Sequence, residues 1–435
     1  MGGKAQLARA ARSLELYERA RTVIPGGVNS PVRAMRSVGR DPLFIERGEG
    51  AEIVDVDGNR YLDYVCSWGP LIHGHAHPEV VAAVQRAAEG GTSFGAPTEA
   101  EVRLAEEVTR RVPSAQMVRL TSSGTEATMT ALRLARSATG RDKVLKFAGA
   151  YHGHVDGLLA GAGSGLATHG IPASPGVTAA QAADTIVVGW NDERALEQAI
   201  ESVGAELACV IAEPVPANMG LVPPRSGFLE LVRDRCRGCG ALLVLDEVIT
   251  GFRVARGGAQ ESLAVEPDLT VLGKVLGGGL PLAAVAGPRE LMELLAPVGD
   301  TYQAGTLSGN PLATAAGLAT LGLLDAAAYE RLSAITGRLV EALAGAAERA
   351  GATVQVPSLP GLLTVFFSER PVESWDDARA ADAVAFGRFW AVMLERGVYL
   401  PPSPFEAWFP SLAHGEREIE RTLEAAGPAF EAVAS

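Results

Sequence analysis

Leu269-Thr270-Val271-Leu272-Gly273-Lys274-Val275-Leu276-Gly277-Gly278-Gly279 is the stretch on which the reading of this chain turns. Leu269 to Leu272 has the length and apolar character of a short buried strand. A lysine follows it directly, and a glycine run follows the lysine. Lysine is scarce here: of 38 basic residues only Lys4, Lys143, Lys146 and Lys274 are lysines, and the rest are arginines. A chain that otherwise carries positive charge on arginine uses lysine after a strand for its primary amine. Burial lowers the pKa of such an amine and frees its lone pair to form a covalent imine with a carbonyl.

Twenty-eight residues upstream lies a second buried run, Ala241-Leu242-Leu243-Val244-Leu245-Asp246-Glu247-Val248. Asp246 falls at its carboxyl end, where α/β sheets bind ligands. A carboxylate there keeps a pyridine nitrogen protonated and the ring an electron sink. The competing reading, a magnesium-binding acidic pair, needs a phosphate loop that the chain lacks. Lys274 has neither the glycine spacing nor the following Ser or Thr of a Walker A loop, and no G-x-G-x-x-G opens a helix after the first strand.

Thr121-Ser122-Ser123-Gly124-Thr125-Glu126-Ala127 stands where a strand gives way to a helix. Free amides, the hydroxyls of Ser123 and Thr125, and the helix dipole suit a phosphate; a plain N-cap is the alternative. In Gly149-Ala150-Tyr151-His152-Gly153-His154 an aromatic ring sits among glycines. It either stacks on a planar cofactor or packs a loop against the sheet. His73-Gly74-His75-Ala76-His77-Pro78 invites a metal reading, but has no nearby acid or cysteine to complete a ligand set, so no metal is expected. Cys236-Arg237-Gly238-Cys239 has no second pair and reads as a helix-to-strand connection that carries thiols.

Between these motifs, short apolar runs alternate with helical periodicity. Strands are expected at 117–120, 144–147, 185–188, 208–212, 242–245, 269–272 and 283–286, with helices over 125–137, 193–202, 227–237 and 289–295. This predicts a mostly parallel seven-stranded sheet covered on both faces by helices. Residues 66–326 are expected to form that large α/β domain. Residues 1–65 and 327–435 are expected to pack together as a smaller α+β domain. Its parts are a hairpin turning at Asp57-Gly58-Asn59, a long helix to Ala350, a strand pair near 353–356 and 362–367, and helices near 376–396 and 415–432.

A net charge of −13 argues against nucleic acid or an anionic membrane as partner. No window approaches the roughly 18–20 apolar residues of a membrane span. Met1 to Gln6 has neither a signal core nor a myristoylation pattern, so the expected location is cytoplasmic.

Taken in order, phosphate cup, aromatic ring, strand-end carboxylate and lysine after the next strand, the chain resembles the pyridoxal-phosphate enzymes of the aspartate aminotransferase fold (fold type I). Within them it resembles the class III aminotransferases, over essentially its whole length. Further segments narrow the resemblance to the aminomutase branch of that family: Pro25-Gly26-Gly27-Val28-Asn29-Ser30-Pro31-Val32-Arg33, Trp68-Gly69-Pro70, Gly91 to Pro97, Tyr302 to Pro311 and Tyr399 to Ala407. The resemblance implies that Lys274 bonds covalently to pyridoxal 5'-phosphate, Asp246 pairs with its ring nitrogen and Tyr151 stacks on the ring. Ser123, Gly124 and Thr125 hold the phosphate, with Thr306 reaching in from the second subunit of a homodimer with shared active sites. Asn218 and Val248 lie near the ring, supported by Glu213. Arg33 takes the substrate carboxylate, with Ser30, Trp68, Glu406 and Tyr302 around it. The segment Gly161 to Gly165, with Ser164, resembles a gate.

The implied reaction starts from the pyridoxamine form and turns glutamate-1-semialdehyde into 5-aminolevulinate by way of 4,5-diaminovalerate, without an outside amine donor. An ω-aminotransferase that needs a second substrate is the rival. An idle binding protein on the same fold is opposed by the intact Lys274 and Asp246. The chain departs from the family pattern at Ala148, usually Glu, and Ser122, usually Asn. Both bear on the balance between the aldehyde and amine forms of the cofactor.

Overall fold

A computed structural model describes residues 10–159 and 174–434. Seven strands form the larger sheet: β4 (Met117–Thr121), β5 (Lys143–Phe147), β6 (Thr185–Val188), β7 (Leu207–Ala212), β8 (Leu242–Glu247), β9 (Leu269–Leu272) and β10 (Ala283–Gly287). Their order is β4-β10-β9-β8-β7-β5-β6, and only β10 runs against the rest. The mostly parallel sheet expected from the sequence is thus present.

Each central strand is apolar on both faces because helices cover both. Leu145, Val210, Leu243 and Leu245 point into one core, where Phe147, Trp190 and Phe228 meet edge to face at 5.0–5.6 Å between centroids. The alternate residues Val144, Cys209, Ile211, Val244 and Val271 point into the other, against the helix Gly124–Thr139.

The smaller sheet joins distant parts of the chain. β1 (Ile45–Glu49), β2 (Glu52–Asp55) and β3 (Arg60–Asp63) form an antiparallel meander. The hairpin closes where the Asp55 carboxylate accepts from the Asp57 and Asn59 amides at 3.0 and 2.8 Å. β13 (Val398–Tyr399) then adds to β3 in parallel. The helices Ala326–Ala350, Ala383–Glu395 and Glu416–Ala434 supply Leu339, Leu343, Phe389, Trp390 and Phe430 to a core shared with Tyr61 and Leu62.

Three local expectations are corrected. The single helix over 376–396 is two, Trp375–Ala380 and Ala383–Glu395, because the Asp382 carboxylate accepts from the Val384 and Ala385 amides and starts a new helix. The strand pair at 353–367 shrinks to β11 (Ser358–Leu359) against β12 (Leu362–Leu363), plus a bridge between Gln355 and Phe366. Pro357 and Pro360 carry no amide hydrogen for a longer ladder. The helix begun at Arg289 stops at Met292, as the chain approaches Ala296 and Pro297.

Among the described residues no single helix is long and apolar enough to cross a membrane. The four cysteines are free, and burial pushes the Cys236 thiol up, as suits a helix end and not a reactive pair. Removing the ring of the fully buried Phe228 breaks two edge-to-face contacts and leaves a cavity. Phe228→Ala is expected to lose about 3–5 kcal/mol of unfolding free energy, read from the denaturant midpoint. A loss below about 1 kcal/mol would show that this core repacks freely.

Candidate active site

Five parallel strands end at one edge of the large sheet, and each hands over one chemical group. β4 leads to Ser123, β5 to Tyr151, β7 to Glu213, β8 carries Asp246 and β9 leads to Lys274. Residues scattered over 150 positions of sequence therefore meet for one reason, strand direction.

Lys274 leaves β9 through an extended Gly273 and takes φ +48 at the start of a tight turn, Lys274–Gly277. That left-handed conformation costs a non-glycine residue about 1–2 kcal/mol. The turn is held by hydrogen bonds that the Leu276 and Gly278 amides donate to the Gly273 and Val275 carbonyls, both 3.0 Å. Gly278, at φ +56, has no room for a side chain: a Cβ would lie 2.8 Å from the Ala316 carbonyl oxygen. Burial lowers the Lys274 amine to about 8, opposed by the carboxylates of Glu406, Glu213 and Asp246 and reinforced by Arg253. Nζ lies 5.6 Å from the centre of the Phe409 ring.

The Asp246 carboxylate meets His152 Nδ1 at 2.8 Å and accepts from the Val248 amide at 3.1 Å. With its proton on Nδ1, His152 donates to Asp246 and holds the carboxylate in place; its buried Nε2 has no partner among the described residues. Glu213, also buried, accepts from the Tyr151 amide at 2.9 Å, the Ala217 amide at 3.1 Å and Asn218 Nδ2 at 2.9 Å. One carboxylate thus fixes Tyr151 and Asn218 relative to each other. Burial raises both the Glu213 carboxyl and the Tyr151 hydroxyl, the latter further raised by Glu406 and Asp246.

At the start of the helix Gly124–Thr139, Ser123 Oγ accepts from the Glu126 amide at 3.2 Å, and Glu126 accepts from the Ser122 amide at 2.7 Å. The N-cap reading therefore holds, and Ser122 serves it through its backbone. The amides of Gly124 and Thr125 still lack intrahelical acceptors and face out with the positive end of the dipole. Gly124 lets Val248 approach: a Cβ would lie 3.2 Å from its Cγ2. Thr125 Oγ1 accepts from the His154 amide at 3.3 Å, which ties the cup to the loop that carries Tyr151.

The carboxyl-terminal end of the chain supplies a further wall. Glu406 is buried beside Lys274 and Tyr151. Trp68 is half-buried in a short turn of its own. Arg33 is exposed on the turn Pro31–Ala34, its amide bonded to the Ser30 carbonyl at 3.1 Å, and its charge reaches Tyr399. Two residues stand apart. Tyr302 is exposed against the outer side of the helix Gly124–Thr139, where its carbonyl accepts from Arg133 at 2.7 Å, and Thr306 is exposed on the same loop. Ser164 and the segment Gly161 to Gly165 lie outside the described residues.

The histidines find separate partners: His73 Nε2 meets the Thr320 carbonyl at 2.9 Å and His75 meets Asp63 at 2.7 Å, while the His73 and His77 rings stay 5.3 Å apart. Among the described residues no three metal-ligating side chains converge. Three neighbours of the site escaped the sequence reading: His152, Phe409 and Arg253. His152 is adjacent to Tyr151 and could have been paired with the strand-end aspartate. Arg253 and Phe409 sit in apolar surroundings that read as ordinary core.

The profile of the family described as Aminotransferase class-III matches residues 35–406. The chain belongs to the class III aminotransferases. Two relatives, from Sorangium cellulosum and Desulforudis audaxviator, are each 56% identical over 98% and 96% of this chain and 97% of their own. Both bear the name glutamate-1-semialdehyde 2,1-aminomutase. Among solved structures, an omega-transaminase from Sphaerobacter thermophilus is 35% identical with a TM-score of 0.89, covering 97% of this chain and 98% of that one. A glutamate-1-semialdehyde-aminomutase from Pseudomonas aeruginosa is 28% identical with a TM-score of 0.86, covering 99% and 97%.

The residues of this class III chain fit the aldehyde and amine forms of a pyridoxal cofactor. Asp246 offers an acceptor to a ring N–H, Lys274 an amine without a hydrogen bond among the described residues, and the Gly124 and Thr125 amides a place for phosphate. A lysine amine lowered to about 8 is neutral in roughly a tenth of molecules at pH 7, against about one in three thousand for an ordinary lysine. Burial lowers the Lys146 amine to about 8 as well, but that amine donates to the Leu158 carbonyl at 2.9 Å, so cofactor-free protein treated with a small aldehyde and borohydride should be labelled on Lys274, with a midpoint near pH 8 read by peptide mapping. Labelling on Lys146, or a midpoint near that of free lysine, would defeat the assignment.

Proposed function

We propose that this chain catalyses the conversion of glutamate-1-semialdehyde, (S)-4-amino-5-oxopentanoate, to 5-aminolevulinate, the tetrapyrrole precursor, by way of the diamine 4,5-diaminovalerate. The carrying observation is the match at 56% identity, over nearly the whole length, to relatives of that name. The chain retains Lys274 and Asp246 at neighbouring strand ends. A lysine-to-alanine variant of the Pseudomonas aeruginosa aminomutase, 27% identical with a TM-score of 0.87, is a complex with PMP. Pyridoxal phosphate and pyridoxamine phosphate are the cofactor forms here. When bound, the group supplies the amine that is exchanged and a ring that takes up the electron pair left by a departing proton.

The chain's own residues do the rest. Lys274 Nζ, lowered to about 8, both takes and returns protons near neutral pH. Asp246, held by His152, presents its carboxylate where the ring nitrogen needs an acceptor. Ser123, Gly124 and Thr125 hold the phosphate, Tyr151 covers the ring, and Val248 and Asn218 limit its movement, with Glu213 bracing Tyr151 and Asn218. Arg33, assisted by Ser30, Trp68 and Glu406, binds the single substrate carboxylate through its planar fork.

We further propose a homodimer in which Thr306 reaches the phosphate of the second subunit. Its support is the exposed apolar surface of Tyr302, Leu307 and Phe94, together with the exposure of Thr306 itself. Residues 66–326 form the large domain in this reading, and 1–65 with 327–435 the small one, supported by their separate sheets. A cytoplasmic location goes with the substrate chemistry.

The likeness to an omega-transaminase keeps the external-donor reaction as the contrast to test. Purified holoenzyme should form 5-aminolevulinate from glutamate-1-semialdehyde with no added amine; a stoichiometric donor requirement would favour the transaminase. Arg33→Ala should lose about 2–3 kcal/mol of charge-assisted binding, roughly 30- to 150-fold in kcat/KM, with partial recovery in Arg33→Lys. An unchanged value would remove Arg33 from the pocket.

A further inference from the structure

Cys66-Ser67-Trp68-Gly69 is left-handed at every residue, with φ of +44, +57, +67 and +116. Three successive non-glycine residues in that region need support from outside the segment. At the start, the buried Asp63 carboxylate accepts from the Val65 amide at 2.8 Å and the Cys66 amide at 3.1 Å. At the end, the Gly69 carbonyl accepts from Arg253 Nη2.

Arg253 is completely buried and makes no ion pair among the described residues. Its remaining bonds go to the carbonyls of Gly361 at 3.0 Å and Pro410 at 3.3 Å. One guanidinium thus gathers three carbonyls from three separate stretches of chain, and burial lowers its own pKa to about 10. A buried cation paired only with carbonyls is costly to keep. Its position shows what it achieves. Arg253 Cζ lies 5.3 Å from the centre of the Phe409 ring, the same ring that Lys274 Nζ approaches at 5.6 Å. A Cβ on Gly69 would lie 3.0 Å from that ring and 3.3 Å from Lys274 Cδ.

We propose that Arg253 is the positioning residue for Lys274: by gripping Gly69, Gly361 and Pro410 it presses the left-handed turn and the Phe409 ring against the lysine stem and so sets where the amine stands. This rests on the reading of Lys274 as the cofactor lysine. The charged groups that face Nζ are Glu406, Glu213 and Asp246, which favour its ammonium form, and Arg253, which opposes it. Loss of Arg253 therefore loosens the stem and also removes a cation that opposes the protonated form, and both effects raise the pH at which the Lys274 nitrogen gives up its proton, free or bonded to the cofactor.

The test compares Arg253→Met and Arg253→Lys with the wild-type holoenzyme, after circular dichroism confirms folding. Visible absorbance of the cofactor on Lys274 is titrated with pH, and kcat and KM are measured separately. In Arg253→Met the midpoint should rise, and kcat should fall about tenfold or more with KM within about twofold. Arg253→Lys keeps the charge but cannot bond three carbonyls at once, so its midpoint should move less and its kcat should still fall about threefold or more. A folded variant of either kind with wild-type midpoint and wild-type kcat overturns the proposal, and Arg253→Lys decides alone if Arg253→Met does not fold. A wild-type protein that stays colourless with pyridoxal phosphate would instead defeat the reading of Lys274 itself.

Discussion

The withdrawal of one amine from water is the constraint that organises this molecule. Burial draws the Lys274 amine down to about 8, close to neutrality, yet the same burial is costly to the fold without compensation. Glu406, Glu213 and Asp246 supply that compensation at a distance. Each of the three is anchored in turn: Glu213 by Tyr151, Ala217 and Asn218, Asp246 by His152 and Val248, and Glu406 by its place in the carboxyl-terminal wall. The result is an amine that can carry a proton in either direction without a large rearrangement of charge.

Strand direction makes this possible. Because β4, β5, β7, β8 and β9 share a sense, their carboxyl ends share an edge, and groups distant in sequence become neighbours without long loops. The reversed strand β10 interrupts the series between β9 and β4.

Much of this was legible in the residues. The large sheet followed from short apolar runs separated by helical periodicity, and Asp246 and Lys274 from their positions just at or beyond two of those runs. What periodicity could not reveal was contact between segments that are far apart and individually unremarkable. Arg253 follows Phe252 in a stretch that reads as core, and only the fold shows that its three bonds reach Gly69, Gly361 and Pro410. The pairing of His152 with Asp246 spans 94 positions and leaves no local mark. Apparent helical continuity over 376–396 likewise concealed a break, because a capping aspartate inside a helical pattern looks like any other polar residue on a solvated face.

The parallel addition of β13 to β3 has a consequence for biosynthesis. The seven strands of the large sheet occupy one uninterrupted span and can pair while the chain is still emerging from the ribosome. The meander of β1 to β3 must wait, with one side of its final strand unpaired, until Val398 and Tyr399 have been translated. Glu406, Phe409 and Pro410 follow within a dozen residues. Nascent chains therefore hold a nearly finished scaffold around an unfinished pocket until residues 398–410 have been made.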